Sequence, residues 1–390
     1  MNRRYLYFLL GAFISVFLAS MLTGCGGKKT VKIGVFEPLS GDHAVNGYAE
    51  KEGILLAHSL RNAVDGKEVE LIDADNESST KVAATVAEKL AKTEKVNAVI
   101  GSWGSTLSIA AAPLFEEEKI VAMAASCTDP LVTLDREWYF RMCFIDAFQA
   151  RALARFTVER LGSKSVAIIT EKDDRYSTSL AKYYSEALME MTGNPHIIIA
   201  DESYASDAQD FNTLITSVSR KEPDLIFAPG NGRKSAILIQ QARKLGVSTQ
   251  FLGGDTWVSN DFLNTGGAEI NGVIMSSFFD VNAAITPKTQ EFVKAYRDKY
   301  GKDPADITAL SFDAYNMLID AMEIAGTKDS NKLRETLASM KNWEGVMGHY
   351  SFDENGDPIK DVVFKTVNNG QFVFLESLSN YIAKESVLQK

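Results

Sequence analysis

The chain has 390 residues, 45% of them apolar and 24% charged, which is ordinary for a folded protein and too long for one compact core. Lys and Arg total 41 against 51 Asp and Glu, a net charge of −10, and basic residues form no run longer than a pair, so nucleic acid is not an expected partner. Three Cys and four His are too few and too scattered for a zinc framework or a disulfide-dense scaffold, and no cofactor is expected.

The chain opens on an export signal over residues 1–24. Arg3 and Arg4 form its charged start, Tyr5 to Leu22 is uncharged and mostly apolar, and Thr23 and Gly24 set small residues directly before Cys25. This resembles the bacterial lipobox, whose cysteine is diacylated and becomes the new N-terminus. Two or more acyl chains anchor stably, since each buried CH2 contributes about 0.8 kcal/mol. The alternative is an uncleaved membrane helix, because the apolar stretch is just long enough to span. The Gly26-Gly27-Lys28-Lys29 tether favours the lipoprotein, lipidated at Cys25 and held outside the cytoplasmic membrane of a bacterium. Cys127 and Cys143 are then expected as two buried thiols, with a disulfide between them as the alternative.

From Val31 onward, short β-branched runs alternate with helical stretches. Val31–Phe36, Val69–Ala74, Val96–Ile100 and Ile120–Ala124 read as buried strands. Val82, Val86 and Leu90 recur with Ala83, Ala87 and Ala91 as one apolar helix face. A second series follows at Val166–Thr170, Ile197–Asp201, Leu225–Ala228 and Phe251–Gly253, with a clear helix at Phe211, Leu214, Ile215 and Val218. Strands alternating with helices imply parallel sheets with right-handed crossovers. The expected fold class is therefore α/β, with two Rossmann-like parallel-sheet lobes. Helices are expected over Thr286–Tyr300, Ala305–Ala325 and Asn331–Met340, and strands at His349–Phe352, Asp361–Val367 and Gln371–Leu375. The late helices need a sheet to cover, so the chain is expected to return to the first lobe near Ser276–Asp280 and to leave it near His349. After a tether at 25–30, the first lobe would hold 31–145 and 278–347, and the second 146–277 and 348–390. Three crossings make a hinge.

No catalytic pattern accompanies this fold: the chain lacks His-Glu-x-x-His, Cys-x-x-Cys, Gly-x-Ser-x-Gly and a Gly-x-Gly-x-x-Gly after a strand. Gly230-Asn231-Gly232-Arg233-Lys234-Ser235 has no glycine directly before its lysine, as a phosphate-binding loop requires. Asp353-Glu354-Asn355-Gly356-Asp357 reads as a turn. Attention falls on the strand ends, where open parallel sheets bind ligands. Ser105 would stand at or near the N-terminus of a helix over Thr106–Glu118, a place that favours a carboxylate by about 0.3–1 kcal/mol. The plainer role for Ser105 is to cap its own helix. Thr128 adds a hydroxyl at the neighbouring strand end. Asp255, after two glycines, suits an ammonium group, and Tyr176 could close over a ligand. Acceptors for a carboxylate on one lobe and for an ammonium on the other suit an α-amino acid.

Several strings together carry a family resemblance: Ile33-Gly34-Val35 with Pro38-Leu39-Ser40-Gly41, Val99-Ile100-Gly101 with Ser105, Thr128-Asp129-Pro130, Phe140-Arg141-Met142, Tyr176, Asp210-Phe211 and Gln241-Ala242-Arg243-Lys244-Leu245-Gly246. Over residues 30–375 the chain resembles the leucine/isoleucine/valine-binding family of ABC-importer substrate-binding proteins, of the type I periplasmic-binding fold. The resemblance implies a first-lobe site on Ser105, Ser126, Cys127 and Thr128, a closing tyrosine at Tyr176 and an acid for the ammonium at Asp255. Where aliphatic-specific members place aromatic residues, this chain has Asn46 and Asn231, with Trp103 and Trp257 nearby, which points to a polar or larger amino acid. The expected protein is a monomeric, non-enzymatic solute-binding lipoprotein that delivers a small ligand to an ABC permease and its ATPase subunits. A sensory binding protein, or a binder of an amide, urea or aromatic acid, is the alternative, and an exported hydrolase is a more distant one.

Overall fold

The computed structural model describes residues 30–281, 286–326, 329–358 and 362–378. Cys25, its lipobox and most of the tether lie outside the described residues. The β-branched runs build two sheets. The first contains β1 (Val31–Glu37), β2 (Ala63–Val64), β3 (Lys67–Asp75), β4 (Ala98–Gly101), β5 (Val121–Ala124) and β6 (Tyr139–Arg141), in the order β2-β3-β1-β4-β5-β6. All its pairings are parallel except β2 with β3. Its helices are α1 (Ala44–Leu60), α2 (Thr80–Glu88) and α3 (Ser105–Glu117). Every residue of β4 and β5 is buried, as in a parallel sheet covered on both faces.

The chain enters the second lobe through α4 (Asp146–Phe156). There it lays down β7 (Val166–Glu171), α5 (Arg175–Thr192), β8 (Ile198–Tyr204), α6 (Asn212–Ser219), β9 (Leu225–Phe227), α7 (Gly232–Lys244), β10 (Gln250–Gly253), α8 (Asn260–Gly266) and β11 (Ile274–Ser277). It then returns to the first lobe as α9 (Pro287–Tyr300), α10 (Asp306–Ala325) and α11 (Ser330–Ser339). Helix α10 runs against α1 and reaches β4 and β5. The helices approach closely because Gly53 has no side chain: a Cβ there would lie 2.2 Å from both Ser311 Oγ and the Thr308 carbonyl. Ser311 donates to the Glu50 carbonyl at 2.7 Å and fixes the crossing.

The last crossing comes later than the sequence suggests. The strand pattern around His349 is real, but β13 (Gly348–Tyr350) pairs only with its local partner β12 (Trp343–Gly345). The hairpin stays on the first lobe, where the Val346 and Met347 amides donate to Asp313 of α10 at 2.8 and 3.0 Å. Phe352 packs on Phe140 at 5.5 Å, and Asp357 pairs with buried Arg141 at 2.6 Å. The chain therefore leaves this lobe after Pro358, and β14 (Val362–Asn368) and β15 (Gln371–Leu378) complete the second sheet in the order β15-β14-β11-β10-β9-β7-β8. The β14–β15 turn sits at Asn369-Gly370, both with positive φ, as the Asn-Asn-Gly string leads one to expect.

Candidate ligand-binding cleft

The carboxyl ends of β1, β4 and β5 on one side and of β7, β9 and β10 on the other converge on a cavity of about 440 Å3. Trp103, Ser105, Ser126, Tyr176, Asn231 and Asp255 all line it. The lobes meet across it: the Thr106 hydroxyl donates to Asp174 at 2.9 Å, Arg175 pairs with Asp129 at 3.0 Å, and the Asn231 amide donates to His43 Nδ1 at 3.3 Å.

On the first lobe, Ser105 is the opening residue of α3. Gly104 takes the cap position at φ 91°, where a side chain would be strained, so Ser105 does not cap its own helix. Its hydroxyl accepts the Asp129 amide at 3.3 Å, while the first N–H groups of a helix have no partner within it. Ser126 follows β5 and donates to Glu50; the Trp103 amide donates to Glu37 at 2.7 Å. Cys127 and Thr128 lie behind this wall. The Cys127 thiol donates to the Ser102 carbonyl at 2.8 Å, and its own carbonyl accepts Arg141 Nη1 at 2.7 Å. Cys127 and Cys143 are both free thiols, pushed up in pKa by burial. Thr128 is completely buried with no partner for its hydroxyl among the described residues, and it does not line the cavity. Arg141, buried and paired to Asp357, also reaches Thr133 and the Pro130 carbonyl, so it organises the loop that carries Ser126.

Asn46 and Trp257 do not line the cavity either. Asn46 is buried in the first turn of α1, whereas His43, just before that helix, faces the cavity and stands 4.9 Å from the Trp103 ring. Trp257 ends a short 3-10 turn begun by Asp255, and its indole stacks on Phe262 at 5.0 Å inside the second lobe. Gly253 makes room for it, since a Cβ there would meet the ring at 2.2 Å.

On the second lobe, Asp255 is 6% exposed and accepts from the Gln149 amide and from the Tyr176 hydroxyl at 3.0 Å. Gly254 permits this contact, because a Cβ would sit 1.9 Å from the Tyr176 hydroxyl. Burial pushes the Asp255 carboxyl up to about 7. Glu171 and Lys234, which the sequence reading did not single out as ligand contacts, form an ion pair at 2.8 Å beside Asn231, whose own side chain caps α7. His43 is lowered in pKa by burial, so its neutral ring accepts from Asn231. Among the described residues, Leu107 is the only aliphatic side chain in the lining.

Residues 30–371 match the periplasmic binding protein family. The chain is 36% identical to a leucine-binding protein, LivK, from Thermotoga maritima, with a TM-score of 0.86 over 90% of this chain and 99% of that one. It is 30% identical to LivJ of Streptococcus pneumoniae, solved in complex with isoleucine, with a TM-score of 0.84 over 90% of this chain and 99% of that one. A Leu/Ile/Val-binding protein homolog of Brucella abortus is 27% identical over 351 residues, 89% of this chain and 92% of the relative. The chain belongs to the periplasmic binding protein family. Its fold is that of the type I periplasmic binding proteins, and its likeness is to the Leu/Ile/Val-binding branch. Members of this periplasmic binding protein family bind ligands for transport and are not enzymes.

Proposed function

We propose that this periplasmic binding protein is anchored by acylated Cys25, closes its lobes on a small amino acid with a polar side chain, and presents it to an ABC permease and its ATPase. The observation that carries this reading is Asp255, a buried carboxyl whose side-chain donors among the described residues are neutral, facing a first-lobe wall built on the start of α3. An ammonium satisfies the first and a carboxylate the second. The relatives include a leucine-binding protein and a LivJ solved with isoleucine, but the lining here holds one aliphatic side chain among the described residues, Leu107, and adds Glu171, Lys234, Asn231 and His43 to Asp255. A polar side chain can add hydrogen bonds there, whereas an aliphatic one would desolvate these groups and add none. Closure follows from population shift, because a ligand touching both lobes stabilises the closed form that a permease reads.

A thermal-shift screen of the full chain in detergent against all amino acids, small amides and aromatic acids tests this. At a hundredfold excess over Kd, ligand should add about 2.7 kcal/mol, a shift of several degrees. The strongest response is expected from a polar amino acid. Leucine binding more than about tenfold tighter than any polar amino acid would remove the side-chain assignment. Response only to amides or aromatic acids would remove the ammonium seat.

A further inference from the structure

Beneath the first-lobe wall lie two carboxyl groups that neither the hinge nor the ligand contacts use. Glu37 ends β1 and Glu50 lies in α1, and both are 0% exposed. One oxygen of each holds a piece of the wall: Glu37 Oε2 accepts the Trp103 amide at 2.7 Å, and Glu50 Oε1 accepts the Ser126 hydroxyl. Their other oxygens, Glu37 Oε1 and Glu50 Oε2, meet no donor among the described residues, and each carboxyl lies close enough to perturb the other. Two adjoining buried carboxyls, each with an oxygen that meets no donor, are costly to ionise together, which favours a proton held on the pair. Gly101 is what lets Glu37 lie under the loop, since a Cβ at 101 would stand 2.6 Å from Glu37 Oε1.

We propose that Glu37 and Glu50 share one proton and act together as positioning residues, clamping the Trp103 and Ser126 segments of the cleft in the geometry that receives a ligand's carboxylate. Among the described residues, the groups facing the pair supply no cation. They are the Cys127 thiol, the Tyr139 hydroxyl, which donates to the Gly101 carbonyl at 2.8 Å, and the buried Asp306 carboxyl of α10. Arg141, which donates to the Cys127 carbonyl, is engaged by Asp357. With the proton in place the pair carries one negative charge below the wall. Without it, two buried charges repel each other and the incoming carboxylate. Burial raises both carboxyls, Glu50 to about 7 and Glu37 well above its ordinary value, so the last proton leaves the pair at or above about pH 7.

Glu37→Gln tests this, because its amide can donate permanently to Glu50 while its carbonyl keeps the Trp103 amide. In the ligand-free full chain, infrared difference spectra at neutral pH should show a carboxylic-acid C=O band that is lost in both Glu37→Gln and Glu50→Gln. Wild-type unfolding should lose about 3 °C more than Glu37→Gln between roughly pH 5 and pH 8. A wild-type spectrum unchanged by either substitution, or equal thermal losses, overturns the shared proton. The second arm rests on the proposed amino-acid site and uses L-serine, L-threonine, L-asparagine and L-leucine as probes. Wild-type Kd for the probe that binds should weaken about tenfold from roughly pH 7 to pH 8.5, and about twofold or less in Glu37→Gln. Equal pH profiles overturn the positioning role. Failure of every probe to bind counts against the proposed ligand class, while the ligand-free arm still reads the pair.

Discussion

Asp255 carries the largest single electrostatic consequence in the cleft. Its carboxyl is buried and raised to about 7 by burial, and Gln149 and Tyr176, which donate to it, are neutral. An ammonium would supply the missing charge, and charge-assisted bonds of this kind contribute about 1.5–3 kcal/mol. Asp255→Asn should therefore weaken binding of the preferred amino acid by about 2 kcal/mol or more, near thirtyfold. The ligand-free protein should be no less stable at about pH 8, since a buried charge is removed with little change of shape. Calorimetric titration together with denaturant unfolding reads both; an affinity change below about threefold would show that no cation meets Asp255. At this scale the sequence told position better than direction. Ser105, Ser126, Tyr176, Asn231 and Asp255 reach the cavity because strand ends of a parallel sheet do. Trp257 follows Asp255 closely in sequence, yet a 3-10 turn sends its indole into the core. Cys127 is drawn behind the wall by Arg141, whose grip on its carbonyl no local pattern announces. His43 faces Asn231 only because the lobes are closed, and Lys234 reaches back to Glu171 across a strand-to-helix turn.

Two helix starts face each other across the cleft, and their contacts are the structural content of closure. Thr106, in the first turn of α3, donates to Asp174 at 2.9 Å and accepts the Arg175 amide at 3.0 Å. Asp174 also caps α5, and Arg175 pairs with Asp129 at 3.0 Å. These bonds join different lobes, so they form on closing and contribute little to the folding of either lobe. Thr106→Val should weaken ligand binding about three- to tenfold through faster dissociation, in keeping with about 0.5–1.5 kcal/mol per hydrogen bond. The ligand-free unfolding midpoint should move by about 2 °C or less. Stopped-flow dissociation and a melting curve separate the two, and equal dissociation rates in variant and wild type would mean that the latch does not limit opening. Element identity was legible from periodicity: the strands and the late helices appear close to their expected places, because buried parallel strands are short β-branched runs and the helices carry one apolar face. Lobe membership after residue 340 was not. A strand pattern states only that some edge will pair with it, and β13 found its edge in the adjacent β12.

Across the whole molecule, the segments that join the lobes are lined with buried acids. Asp146 opens α4, Gln149 bridges Asp255 to Ser276 at 2.8 Å from the serine, and Asp306 accepts from Ser277 at 3.0 Å and from the Phe278 amide at 3.3 Å. Asp280 and Lys365 pair at 3.4 Å where β14 returns. Burial is the leading cause that raises Asp146, Asp255 and Asp306, and it raises Glu37 and Glu50 beneath the cleft as well. A carboxyl whose folded pKa lies above its unfolded one contributes stability that is complete below the unfolded value, and that contribution is lost as pH rises through the folded value. For Asp255 and Glu50 that window runs from near 4 to about 7. Asp75 and Asp224 are shifted the other way by hydrogen bonds, so their contribution is lost only below the ordinary carboxylate range and does not act in this window. His43, lowered by burial, works against the acids as pH rises toward 6.5, but it is one group against five. The ligand-free protein should thus be more stable at about pH 5 than at about pH 8 by more than about 1 kcal/mol, and Asp255→Asn should narrow that difference. Denaturant unfolding at fixed ionic strength measures it. Stability that climbs steadily from pH 5 to pH 8 would mean that the acids at the lobe junction are ionised and compensated, and that the junction does not store protons.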